Sequence, residues 1–331
     1  MTRATAPFLS IVIPVFNEEE SLRFLYQEVT ETMVTLPQHT YEIILIDDGS
    51  TDGSFDVLCE LHEKDPDHVV ALRLRRNFGQ TAAMAAGFDT AEGQVIITLD
   101  ADLQNDPADI SRMLDRLDEG FEVVSGWRAD RKDKLLSRRI PSIAANRLIA
   151  WFTDVPLHDF GCTLKAYDRR VIENLNLYGE MHRFLPALAT WSGARVSEIE
   201  VNHRERRFGK SKYRINRAVR VLLDLITVKF LVSYSTKPMQ VFGRWGLYAI
   251  FLGSCSGVIS AALKILPPHQ DVTGSPWMYI SIFLLLGGLQ LVGMGLLGEI
   301  SARTYYESQQ KSIYALRESR RGRAGGKDPG R

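Results

Sequence analysis

An α/β fold built on a mostly parallel sheet, followed by a two-helix membrane hairpin, is the architecture that this 331-residue sequence predicts. Three observations carry it. From residue 9 to about 127, short β-branched runs alternate with stretches of helical periodicity, the pattern of a parallel sheet covered on both faces. The first four of these runs end in polar clusters. Two long apolar segments then occupy 243–266 and 277–298.

The strand-like runs are LSIVIP, YEIILID, VVALRL, QVIITLD and FEVVSG. PVFNEEE follows the first, DDGSTDG the second, RRNFGQ the third and DADLQNDP the fourth. Any one cluster could be only a turn or a helix cap, as Ser50, Thr51 and Asp106 before Pro107 suggest. Four together at strand ends predict one rim, and parallel sheets bind ligands beyond the carboxyl ends of their strands. Residues 128–215 are less regular and more basic, and are expected to close over that rim.

Each apolar segment is long enough to cross about 30 Å of hydrocarbon as a helix. Their connection, PPHQDVTGSP, has no Lys or Arg, whereas residues 203–244 hold eleven and residues 300–331 hold eight. Basic flanks at both outer ends place both termini and the main domain in the cytoplasm. The expected organisation is a domain over 1–214, interfacial amphipathic helices over 215–240, the membrane pair within 241–300 and a basic tail over 301–331. Glycines 287, 288, 293, 295 and 298 allow close helix approach and make a homo-oligomer plausible.

Formal net charge is zero, with 40 basic and 40 acidic residues, and nothing in the sequence points to nucleic acid. Three separated cysteines make neither a CxxC metal pair nor a disulfide framework. The seven histidines form no HxxxH or HExxH pattern, and His158 and His203 read as structural or surface residues. The start of the chain reads as a first strand rather than a signal peptide.

The chemistry centres on Asp100 and Asp102, two carboxylates one residue apart where a strand ends. Like charges so placed repel, unless a hard divalent cation such as Mg²⁺ or Mn²⁺ lies between them. Such a cation keeps open positions for substrate phosphates. The segment HRERRFGKSKYR, just before the membrane stretch, offers planar guanidinium forks suited to phosphate oxygens.

PVFNE at 14–18, DDGSTD at 47–52, NFGQTAAMAAGF at 77–88 and LDADLQNDP at 99–107 resemble the ordered motifs of family 2 glycosyltransferases of GT-A (Rossmann-like) fold. GWRADR at 126–131, DFGCTLKAYDR at 159–169 and RRFGKSKY at 206–213 resemble the polyprenyl-phosphate subgroup, which includes dolichyl-phosphate mannose synthases. The terminal membrane pair is similar to the bacterial enzymes acting on undecaprenyl phosphate in the inner membrane. The resemblance implies that Pro14, Asn17, Glu18, Asp47, Asp48 and Gln80 shape the nucleotide-sugar pocket. It implies that Asp100 and Asp102 bind metal and donor diphosphate, with Gln104 as a further ligand. By the same resemblance, Arg128 and Arg131 would approach a phosphate, Asp159 would lie near the reacting centre, and Arg206, Ser211 and Lys212 would form the loop that closes on the acceptor phosphate.

The reaction so implied is inverting transfer from a UDP-sugar to polyprenyl phosphate. An ionised lipid phosphate is already a nucleophile, so positioning and electrostatics replace a general base. Glucose is the first donor expected, with N-acetylglucosamine, galactose and modified arabinose open. A processive polysaccharide synthase would be expected to carry QxxRW and more membrane helices, and an inactive scaffold would be expected to lack Asp100 or Asp102.

Overall fold

The computed structural model describes residues 6–129, 146–147, 149–150, 153, 155–173, 181–191, 193–208, 238–265, 275–308 and 316–320. These fall into two compact units, one built on a sheet and one on two long helices.

The sheet unit begins as the sequence predicts. Strands β1 (Leu9–Val15), β2 (Tyr41–Asp47), β3 (Val69–Leu74) and β4 (Val95–Thr98) alternate with helices α1 (Glu19–Val34), α2 (Ser54–Lys64) and α3 (Gln80–Thr90). All four strands run parallel, with Leu9 opposite Tyr41 on one side and Val95 on the other. Their side chains are buried on both faces: Ile11, Ile13 and Val15 enter one core cluster, while Val12 and Ile46 are buried outside it. Continuous apolar runs are what a doubly covered strand requires. Pro14 is tolerated in so central a strand because it lies past the last β1–β4 pair, Val12 with Thr98.

Beyond α4 (Asp109–Asp118) and β5 (Val123–Trp127), the less regular region adds to the same sheet. β6 (Lys165–Asp168) inserts antiparallel between β4 and β5, and β7 (Val196–Glu200) extends the edge beside β5. Between them come α5 (Arg169–Glu173), a 3₁₀ turn (Met181–Arg183) and α6 (Leu185–Trp191). β8 (Leu316–Arg320) pairs antiparallel with β3, within the stretch read as a basic tail. The strand order is β7-β5-β6-β4-β1-β2-β3-β8.

The second unit pairs α7 (Pro238–Ile265) with α8 (Pro276–Ser308). Both are long and apolar enough to cross a membrane, with mean hydropathy of 1.7 over Met239–Ile265 and 2.1 over Pro276–Ser301. Large apolar side chains such as Phe251, Phe283 and Leu297 face outward. Small residues make the contact: Ser281 Oγ donates to the Gly253 carbonyl and Ser256 Oγ to the Trp277 carbonyl, both at 2.7 Å. Residues 215–237, most of the stretch expected as interfacial helices, lie outside the described residues.

Candidate active site

The carboxyl ends of β1 to β4 form one rim, and its loops are tied to each other. After β1, Asn17 adopts a left-handed backbone with φ of 53°, a conformation Asn tolerates better than most residues. Its N–H donates to Ser50 Oγ at 2.9 Å, and its side-chain oxygen accepts from Thr51 N–H at 2.8 Å. Glu18 N–H donates to Ser54 Oγ. The first two polar clusters therefore form one bonded unit.

Asp47 and Asp48 close β2 and are both buried. Asp47 accepts from Ser50 N–H at 2.9 Å and meets Arg73 at 3.3 Å. Asp48 accepts from Phe78 N–H and Gly79 N–H at 2.7 and 2.9 Å, so it holds the loop leading into α3. Burial raises the Asp48 carboxyl despite those two bonds. Gly79 sits at φ of 94°, a conformation that glycine alone adopts cheaply.

That loop delivers Gln80, whose Nε2 donates to Asp100 Oδ1 at 2.9 Å. The other oxygen of Asp100 accepts from Thr163 Oγ1 at 2.5 Å. Asp102 lies on a tight turn in which buried Leu103 takes φ of 61°, a strained state for such a residue that its core packing must offset. Burial, and then the Asp102 charge, push the Asp100 carboxyl up to about 6 against the opposing pull of Thr163, Arg128 and Arg206. The pair is short of positive charge, and a hard cation would relieve it. Among the described residues no group of three or more His, Cys, Asp or Glu gathers in metal-binding fashion. A cation here would thus draw its other ligands from water or substrate oxygens. Gln104 N–H donates to Asp102 Oδ1 at 3.2 Å, and its Nε2 reaches the Arg204 carbonyl at 3.5 Å.

Two basic groups flank the pair. Arg128, just after β5, grips Asp159 through Nε and Nη2 at 2.7 and 3.1 Å, and Asp159 is 2% exposed. Glu198 of β7 fixes the Asp159 turn from behind, accepting from His158 N–H and Asp159 N–H at 3.0 Å each. The segment after β7 runs back along the Asp102 loop, with Arg204 N–H donating to the Gln104 carbonyl. Arg204 is anchored to Glu28 and Asp106, which places Arg206 at 2.7 Å from Glu18 and 3.4 Å from Asp102.

Pro14, Asn17, Glu18, Asp47, Asp48, Gln80, Asp100, Asp102, Gln104 and Arg206 thus share one rim, with Arg128 and Asp159 beside it. Arg131, Ser211 and Lys212 lie outside the described residues. Thr163 and Glu198 were not foreseen. Thr163 carries no charge to mark it, and Glu198 reads as an outward residue of the alternating strand VSEIE.

The family model described as glycosyl transferase family 2 matches residues 10–175. The chain is 42% identical to dodecaprenyl-phosphate galacturonate synthase of Rhizobium johnstonii over 94% of this chain and 92% of that protein. It is 38% identical to undecaprenyl-phosphate 4-deoxy-4-formamido-L-arabinose transferase of Klebsiella pneumoniae, over 93% and 92%. In fold it is similar to glucosyl-3-phosphoglycerate synthase from Mycobacterium tuberculosis, solved with Mn²⁺, uridine diphosphate and phosphoglyceric acid, at a TM-score of 0.52 and 16% identity over 68% of this chain and 78% of that one. A doubly wound sheet with this rim, and a family match over half the chain, have one conclusion: the chain belongs to glycosyltransferase family 2, among its polyprenyl-phosphate sugar transferases.

Proposed function

We propose that the protein transfers one sugar from a UDP-linked donor to undecaprenyl phosphate, or a polyprenyl phosphate of similar length, with inversion at the anomeric carbon. The observation that carries this reading is the Asp100–Asp102 pair at the end of β4, with Arg206 leaning onto it at 3.4 Å from Asp102. It joins an anionic pole suited to a metal-bound diphosphate to a cationic group suited to a second phosphate. The two relatives' names carry one acidic sugar and one neutral sugar, and neither is glucose.

In this reading Asn17, Glu18, Asp47 and Asp48 shape the nucleotide pocket, and Gln80 orients Asp100. Mg²⁺ or Mn²⁺ on Asp100 and Asp102 neutralises the diphosphate when bound. Arg206, with Ser211 and Lys212, holds the lipid phosphate, one of whose oxygens attacks the anomeric carbon. A phosphate–sugar C–O bond forms, the bond to the donor's β-phosphate oxygen breaks, and the nucleoside diphosphate leaves with the electron pair. Asp159 orients Arg128 toward the reacting charge, and no general base is needed. The helix pair spans the bacterial inner membrane, with the sheet unit and both termini in the cytoplasm.

The test is transfer of radiolabel to undecaprenyl phosphate in detergent, with and without EDTA. The donor panel is UDP-glucose, UDP-galactose, UDP-N-acetylglucosamine, UDP-galacturonate and the UDP-linked formamido-arabinose. EDTA-sensitive label in the organic phase from one donor is the expected result. Absence of label from every donor, with UDP still bound, overturns the reading.

A further inference from the structure

Lys165 is the buried lysine of the described residues, at 3% exposure. It opens β6, opposite Thr98 of β4 and Ser125 of β5. Its neighbours Leu164 and Ala166 enter the main core cluster, so by strand alternation Lys165 faces the other side with Tyr167, which meets Phe88 of α3 edge-on. Among the described residues the ammonium makes one hydrogen bond, to the Phe160 carbonyl at 3.3 Å, and no ion pair.

A second cation stands near it on that face. Arg183 ends the 3₁₀ turn, is half-buried, and has a fully enclosed Nε with no hydrogen-bond partner. Next to Arg183 in the same turn is buried His182, its Nδ1 at 2.7 Å from Thr81 Oγ1. Burial, then Arg183 and Lys165, hold His182 well below its ordinary pKa, so it adds no charge. Burial lowers Lys165 to about 8, with Arg183 and Arg128 pushing the same way against Asp159, and it remains mostly protonated at neutral pH.

The acid of this region is already taken. Asp159 is bound through both oxygens by Arg128 and cancels that guanidinium. Among the described residues, buried Lys165 and half-buried Arg183 are left as two cations without an ion pair, an arrangement that an anion would complete. The two phosphates of the reaction have other poles, at Asp100–Asp102 and at Arg206. Lys165 stands opposite Thr98, two residues before Asp100, and Thr81, which meets His182 beside Arg183, follows the Gln80 that bonds Asp100, so both cations border the carboxylate pair.

Resting on the reading above, we propose that the transferred sugar carries a carboxylate: the donor is a nucleotide-linked uronic acid, and Arg183 with Lys165 receives its carboxylate. A guanidinium fork fits a planar carboxylate, and a site that leaves buried cations unpaired discriminates strongly against the neutral analogue.

The test uses the full chain in detergent and donors matched in stereochemistry, UDP-galacturonate against UDP-galactose and UDP-glucuronate against UDP-glucose, each with undecaprenyl phosphate. The expected result is a kcat/KM at least about 100-fold higher for one uronate than for its neutral partner. In Arg183→Gln and Lys165→Met that ratio falls at least tenfold, while UDP affinity reports an intact fold. Calorimetric binding of the same donors follows the same order without turnover. Neutral sugars transferred as well as uronates overturn this proposal and leave the transferase reading intact. A rise in KM for undecaprenyl phosphate with every donor alike, at an unchanged donor ratio, assigns the cations to the lipid phosphate and also overturns it. Absence of transfer from all donors removes the reading on which it rests.

Discussion

Thr163 Oγ1 stands 2.5 Å from Asp100 Oδ2 and joins the end of β4 to the segment entering β6. The same hydroxyl accepts from Asn105 Nδ2 at 3.1 Å, so it is oriented toward Asp100 rather than free to turn. Through it, the segment entering a strand that sequence periodicity did not mark opposes the burial that raises the central carboxylate.

The hydroxyl favours the ionised form of Asp100, so removing it raises that group's pKa. Thr163→Val is therefore expected to lower kcat/KM by about tenfold and to move the acid limb of its pH profile upward by about one unit. Thr163→Ser restores both. Rate profiles between pH 5 and 8 for the three proteins check this, and an unshifted limb in Thr163→Val refutes it.

Asp100 also makes folding depend on pH. Its folded-state value, about 6, lies above the ordinary 3.8, so the folded chain binds this proton more tightly than the unfolded chain. Stability from this group is fully present below pH 4 and is lost as pH rises through 6. Its partial exposure reduces the full linkage to about 1–2 kcal/mol. In EDTA, the Tm difference between Asp100→Asn and the wild type should grow in favour of the variant from pH 4.5 to 7. Added Mn²⁺ should shrink that gap by stabilising the wild type.

Arg128 and Asp159 bury opposite charges face to face. Asp159→Asn leaves a guanidinium without its counter-charge and should cost about 3 kcal/mol, with at least a 100-fold loss of transfer. Removing both charges, in Arg128→Gln with Asp159→Asn, should destabilise less than the sum of the single changes. Denaturant melts of the four proteins give the coupling; simple additivity would mean that the pair is not a unit.

The helix pair permits a paired test. A Cβ on Gly288 would lie 2.7 Å from the Gly246 carbonyl oxygen, whereas one on Gly287 would meet nothing within 4 Å. Gly288→Val should loosen the hairpin, read as lost cross-linking between cysteines placed on α7 and α8, and Gly287→Val should not. Equal behaviour of the two variants would refute this packing.

Much of this protein was legible in its sequence. Runs such as YEIILID are apolar at every position and bounded by turn residues, so strands β1 to β5 and the polar rim at the ends of the first four follow from local pattern alone. The spacing of Asp100 and Asp102 and the length of the two apolar segments are likewise local facts. Tertiary structure decided what distant residues share. β6, with sequence KAYD, has no apolar run to announce it and exists because β4 and β5 offer it hydrogen-bonding edges. β8 contains one apolar residue in LRESR and pairs with the free edge of β3 through its backbone. Thr163 reaches Asp100 across 63 positions, and Glu198 supports Asp159 across 39. Hydrogen bonds at that separation leave no period in the sequence, because they depend on which strands lie side by side.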